Sequence, residues 1–185
     1  MSQNNVLQSE VKGYKKEDAY QSLSMINAWI GNIDTKVSFA LALAGVIIGV
    51  IFENGTPSSF KRIVEVSKLG ELNVGDVTSA ILVGLLYLFS FISIVSFIWS
   101  IIARVKNINN VSSIFFFGSI AGMELENYID RANRITEEEV IKDLEEQIHI
   151  NSKICSQKAK WYNIGIKLLG ITIVLWFICM TFGLI

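Results

Sequence analysis

The chain has 185 residues, about one domain's worth, of which 51% are hydrophobic and 18% charged, against about a quarter charged in an average soluble domain. The missing charge is concentrated in three stretches, which argues for a bilayer rather than a large soluble core. A formal net charge of −1 offers no basic surface to a polynucleotide, and the two cysteines, Cys155 and Cys179, stand too far apart for a helix-internal disulfide and form no metal-ligand spacing.

Residues 1–36 are polar and charged. They hold no cleavable signal peptide, so the first span is expected to act as an uncleaved signal anchor. Residues 17–52 read as one helix. Its first part is a stalk with Tyr20, Leu23, Ile30 and Val37 on one side, and it continues into a first transmembrane span over 37–52. Those 16 residues make about 24 Å of helix, short for a ~30 Å core, so the span is expected to recruit Ile30 and Ile33. Residues 53–76 form a loop. The only proline lies there, in Asn54-Gly55-Thr56-Pro57-Ser58-Ser59. The second span, 77–103, runs 27 residues without a charge.

Residues 104–160 form a helical soluble segment. It opens on the loop-like Asn107-Ile108-Asn109-Asn110-Val111-Ser112-Ser113, followed by an aromatic run from Ile114 to Gly122 and an amphipathic helix over 123–134. Thr136-Glu137-Glu138-Glu139 is a capping box. Val140, Ile141, Leu144, Ile148, Cys155 and Ala159 then recur at helical spacing with no Pro or Gly from 137 to 164. One helix should therefore run into a third span, 161–185, whose uncharged part is Leu168–Ile185. The expected class is an all-α membrane protein: three transmembrane helices, with long cytoplasmic helical extensions of the first and third.

Orientation follows from Lys and Arg beside the spans. The segments 1–36 and 104–160 carry four and eight, the loop 53–76 carries Lys61, Arg62 and Lys68, and the tail carries none. This places the first two segments in the cytoplasm, the loop and C-terminus in the periplasm, and the chain in the inner membrane. Trp29, Trp99, Trp161 and Tyr162 then fall at the cytoplasmic ends of the spans as an aromatic belt. Lys167 lies about a turn inside the last span and is expected to snorkel.

Catalytic signatures are missing. His149 is the only histidine, no His–Cys–carboxylate cluster has metal spacing, and no nucleophile has a base. An enzyme is therefore not expected, nor a metal or cofactor. Asp34 and Lys36 stand at the cytoplasmic mouth of the first span, where desolvated charge is costly unless paired. Either Asp34 forms an interhelical ion pair with Arg104, Lys158, Lys160 or Lys167, or the two help form a ligand or gating site. Gly45-Val46-Ile47-Ile48-Gly49 is a GxxxG pattern, and Ser93, Ser96 and Ser100 make a hydroxyl stripe. Both suit packing within one chain, or contact between subunits that line a polar path. Phe115-Phe116-Phe117-Gly118 suits contact with headgroups, with the stalks, or with a stacked nucleobase.

Taken together, these segments resemble the transmembrane effector family of Pycsar anti-phage systems. The resemblance rests on Trp29-Ile30-Gly31-Asn32-Ile33-Asp34-Thr35-Lys36 ahead of the first span and on Phe116-Phe117-Gly118-Ser119-Ile120-Ala121 after the second. It also rests on Asp143-Leu144-Glu145-Glu146-Gln147-Ile148, Ser152-Lys153-Ile154, and Lys158 with Trp161 ahead of the third. It implies an effector activated by cyclic CMP or cyclic UMP from an adjacent pyrimidine nucleotide cyclase, which impairs the inner membrane and causes abortive infection. The ligand-binding or gating candidates are then Trp29, Asp34, Lys36, Phe116, Gly118, Asp143, Gln147, Ser152 and Lys158. Gly45, Gly49, Ser93, Ser96 and Ser100 are the helix-packing or oligomer candidates. The expected partners are the lipid bilayer, the cyclase through its messenger, and further copies of the chain in a homo-oligomer. The chain has no separate cyclic-nucleotide-binding domain, so a nucleotide has to bind the cytoplasmic helices themselves or an assembly of them. The competing reading is a constitutive small channel or scaffold subunit with no nucleotide gate.

Overall fold

The computed structural model describes residues 14–53, 73–102 and 113–185, together with 55, 57 and 61. The expected stretch Asn107–Ser112, the basic residues Lys12, Arg62, Lys68, Arg104 and Lys106, and most of the turn around Pro57 lie outside the described residues. Among the described residues every regular element is a helix: α1 (Lys16–Phe52), α2 (Val74–Ile101), α3 (Phe117–Ala121), α4 (Leu125–Arg134) and α5 (Glu137–Thr181). Three of them, α1, α2 and α5, are long and apolar enough to cross a membrane. At 1.5 Å per residue they measure about 56, 42 and 68 Å, so α1 and α5 exceed a ~30 Å core and carry the expected extensions.

The chain divides into two compact units, one of Met1–Asn27 with Val105–Ser152 and one of Ala28–Arg104 with Lys153–Ile185. The second unit contains the apolar parts of the three long helices. Val37, Ala40 and Ala44 of α1 pack with Phe97 of α2 and Leu169 of α5. Further along, Ile51 packs with Val83, Leu86 and Cys179. Small residues on α1 let the helices close on one another, while leucine, isoleucine and phenylalanine fill the outer faces, as lipid contact requires.

Serine hydroxyls fix the register of α2 against α5. Ser93 Oγ donates to the Gly165 carbonyl at 2.9 Å and Ser100 Oγ to the Lys158 carbonyl at 2.9 Å. As α2 residues rise, their α5 partners fall by the same number, so the two helices are antiparallel. Gly165 is required there: a Cβ would stand 2.7 Å from the Phe97 ring. Ser96 instead bonds back to the Ile92 carbonyl of its own helix. All three serines are buried.

The helix that carries the third span is closed by a glycine turn. Helix α5 stops at Thr181, and Gly183 takes a φ of 62°. The Gly183 amide donates to Met180 O and the Leu184 amide to Cys179 O, the bond pair of a Schellman turn, for which glycine is the natural residue. The final apolar residues are therefore a cap, and α5 gains its length from its N-terminal extension.

In the first unit α5 starts at the capping box. The Glu139 amide donates to Thr136 Oγ1 at 3.3 Å, and Glu139 Oε2 accepts from the Thr136 amide at 2.9 Å. Leu144 is fully buried, and Asn151 Nδ2 donates to Asn27 Oδ1 at 2.9 Å, joining α5 to α1. The expected stalk face is rotated slightly. Ala19 is the buried residue, whereas Tyr20 is exposed and meets the Phe115 ring edge-on at 5.7 Å. Helix α4 falls within the expected 123–134, but buries none of its residues.

The capping box sets a pH dependence. The Thr136 amide first and then the Thr136 hydroxyl hold the Glu139 carboxyl below its ordinary value; desolvation opposes them, and the Arg131 charge adds the smallest contribution. A depressed carboxylate pKa contributes stability above the ordinary range of about 4.3 and loses it as pH falls through the folded value. First-turn amides of α5 should therefore lose exchange protection, relative to intrinsic rates, below about pH 4. Glu139→Gln should flatten that loss; an unchanged pH profile in the variant would remove the carboxylate from the account.

Candidate functional site

The first unit gathers its polar groups where α5 passes the turn leading into α3. Ser113 opens that turn: its Oγ accepts from the Phe115 amide at 3.2 Å and the Phe116 amide at 3.0 Å, and Gln147 Nε2 lies 3.4 Å away. Serine suits this place because its hydroxyl satisfies amides that the turn leaves unpaired. One turn of α5 back from Gln147, Asp143 accepts from the Ile114 amide through Oδ2 at 3.0 Å. Asp143 and Gln147 are each 3% exposed. The second carboxylate oxygen, Asp143 Oδ1, is buried and accepts no hydrogen bond from the described residues. A buried acceptor without a donor is costly.

The aromatic run forms one side of this neighbourhood. Phe116 caps α3 without a side-chain bond and its ring lies 5.0 Å from that of Phe117. A Cβ at Gly118 would stand 2.5 Å from the Phe116 ring, so a larger residue there would displace that ring. Phe117 itself is exposed. Ser152, by contrast, is exposed on α5, away from this cluster.

The second unit has its own polar node. Lys158, 9% exposed, donates to Asp34 Oδ1 at 2.6 Å and to the Ile101 carbonyl at 3.3 Å. That carbonyl belongs to the last residue of α2, where a cation complements the helix dipole. Ser100 donates to the Lys158 carbonyl, so one residue of α5 is joined to both α1 and α2. The Trp99 and Trp161 rings stack 5.9 Å apart beside it. Of the partners expected for Asp34, Lys158 makes the pair; Lys160 and Lys167 are exposed and Arg104 lies outside the described residues. Lys36 and Trp29 are exposed as well. The cleft between Trp99, Gln157, Lys158 and Trp161 has about 10 Å³ of room, space for roughly one water and far too little for a nucleotide.

The structure therefore separates the candidates. Asp143, Gln147, Phe116 and Gly118 share one neighbourhood in the first unit. Asp34 and Lys158 form the node of the second. Ser93, Ser96 and Ser100 are buried within this chain rather than lining a path between subunits. Gly45 and Gly49 are the reverse, with nothing within 4 Å of an added Cβ, so they do no packing within the described chain. Sequence reasoning missed Ser113, which lies in a run of polar loop residues and is singled out only by the amides it caps. Among the described residues no group of three metal-ligating side chains forms.

The order of these groups relative to three apolar helices has a counterpart in known proteins. The family model described as the Pycsar effector protein domain matches residues 18–185. The chain belongs to this family. A curated relative, the Pycsar effector protein GmPycTM of Gulbenkiania mobilis, is 34% identical over 193 aligned positions, covering 94% of each chain. No solved structure matches the chain. As a Pycsar transmembrane effector it serves anti-phage defence, and the candidate residues of both units fall within the family match.

Proposed function

We propose that a cyclic pyrimidine nucleotide, cyclic CMP or cyclic UMP made by a neighbouring cyclase, binds the first unit and switches the protein into a state that impairs the inner membrane, ending the infected cell before phage mature. Family membership supports the role. The observation that carries the site is the buried, unsatisfied Asp143 Oδ1, with Gln147 one turn along α5 and the Phe115–Phe116 backbone held by Ser113 in the same turn. A pyrimidine offers N–H donors to the carboxylate and a face to the rings. Positive-inside counting supports a cytoplasmic first unit and a periplasmic C-terminus, which puts the site where a messenger is made.

A ligand shifts a two-state equilibrium only by its differential affinity. Moving the population from 1:99 to 99:1 takes about 5.5 kcal/mol. Several copies responding together share that demand, which favours a homo-oligomer. The bare Gly45 and Gly49 face of α1 suits close helix approach between copies. Helices α1 and α5 carry residues of both units and are the route along which binding is felt in the bilayer.

Asp143→Asn tests the site. It keeps an acceptor for the Ile114 amide and presents an NH₂ where the free oxygen was. Cells expressing a pyrimidine cyclase with the wild-type protein should take up dye and die. The Asp143→Asn protein should insert normally yet leave dye entry at the level of cells without effector, and its purified form should lose heat release on titration with cyclic CMP and cyclic UMP. Wild-type killing by the variant would remove the site. Depolarisation without any cyclase would favour the ungated channel.

A further inference from the structure

Asp143 shares its unused oxygen with a second carboxylate of the first unit. Glu146, three residues on along α5, is half-buried, and its Oε2 is buried and accepts no hydrogen bond from the described residues. At 100° per residue, Glu146 lies about 60° to one side of Asp143 on the helix and Gln147 about 40° to the other. Residues three apart on a helix have Cβ atoms about 5–6 Å apart, so both carboxylates belong to one short strip of α5. Asp143 is held there by the Ile114 amide on Oδ2, and Gln147 by Ser113.

An ionised carboxylate only accepts hydrogen bonds. Each of these buried oxygens is costly until a donor reaches it, so the pair asks a ligand for two N–H groups rather than one. Gln147 supplies the complement. Its amide nitrogen carries two N–H donors, and Ser113 takes one of them.

The two pyrimidines differ on this point. Cytosine carries an exocyclic amino group with two N–H donors, next to a ring nitrogen that accepts. Uracil has a single N–H on the same edge, between two carbonyl oxygens. Either base brings one N–H to Asp143. Glu146 then meets the second amino hydrogen of cytosine, or a carbonyl oxygen of uracil. In the second case two acceptors face each other and Glu146 Oε2 stays unpaired.

We propose that Glu146 is the specificity-determining residue of this site and selects a cytosine base, which makes cyclic CMP the messenger. The inference rests on the reading of Asp143 as the residue that binds the base. Gln147 gives its second N–H to the ring nitrogen of cytosine. A site that hydrogen-bonds a given N–H rejects an analogue lacking it, because its own buried group is left without a partner. Cyclic CMP should therefore bind about 100-fold more tightly than cyclic UMP.

Calorimetric titration of the full-length protein in phosphatidylethanolamine–phosphatidylglycerol nanodiscs tests this, with cyclic CMP and cyclic UMP as the probes. Glu146→Gln keeps an acceptor, suits a helix as well as glutamate does, and adds an NH₂ that pairs with a carbonyl. It should bind cyclic CMP less tightly and cyclic UMP more tightly, shrinking the ratio at least about tenfold, with helix content unchanged by circular dichroism. Glu145→Gln, at the exposed neighbouring position, removes the same charge and should leave the ratio as it is. Equal affinities in the native protein, or tighter binding of cyclic UMP, overturn the selectivity and leave the Asp143 site standing; that result is read whether or not the variants fold. A ratio that Glu146→Gln leaves unmoved, or that Glu145→Gln moves as far, overturns the role of Glu146. No heat with either nucleotide overturns the Asp143 reading itself, and the selectivity with it.

Discussion

Asp34→Ala should destabilise the second unit by about 2–3 kcal/mol, more than Lys158→Met does, although both delete the same contact. The asymmetry comes from solvation. Lys158 is 9% exposed and Asp34 42%. Without Asp34, a buried ammonium keeps only the Ile101 carbonyl. Without Lys158, a half-exposed carboxylate recovers water, and the loss should be about 1 kcal/mol. The double variant should be milder than Asp34→Ala alone, because no buried charge is then stranded. Detergent-titrated unfolding followed by circular dichroism measures all three; an Asp34 variant milder than the Lys158 variant would show that the pair is not limited by burial of the lysine. Loss of killing in an Asp34 variant therefore has to be read together with its stability before the carboxylate is given a gating role.

Gly165→Ala is the second large effect, at about 1–3 kcal/mol from overpacking. The new methyl would stand 2.7 Å from Phe97 Cδ1 and Cε1. Phe97 is fully buried among Val37, Ala44 and Leu169, so its ring has nowhere to turn. Any spreading of the helices also lengthens the Ser93 bond to the Gly165 carbonyl. Phe97→Leu in the same chain should restore part of the loss. Gly84→Ala is the control: nothing lies within 4 Å of its Cβ, and alanine's better helix propensity should leave stability unchanged or raised by up to about 1 kcal/mol. Equal melting temperatures for the 165 and 84 variants would show that α2 and α5 separate freely at this level.

The fold was legible because bilayers demand long uncharged runs, and such runs survive any detail of packing. The capping box was legible because it is local, confined to neighbouring residues. The pairing of Asp34 with Lys158 was readable only as one of several options, since the choice among the candidate cations depends on which face of α5 turns inward. The apolar positions Leu144 and Ile148 pointed to that face, but buried polar residues share it, and Asp143 and Gln147 carry no apolar signal. The serines on α2 suited packing within the chain or a path between subunits equally, because a hydroxyl stripe serves either; the backbone acceptors on α5 that take two of them are invisible in sequence.

The two hydroxyl rungs between α2 and α5 are seven residues apart on each helix, which is close to two full turns. Deleting one residue between them on either side of this ladder would swing the second rung by about 100°, so chain length in these intervals is held far more tightly than side-chain identity. Insertions between the rungs are ruinous, a constraint on length variation that no single substitution would reveal.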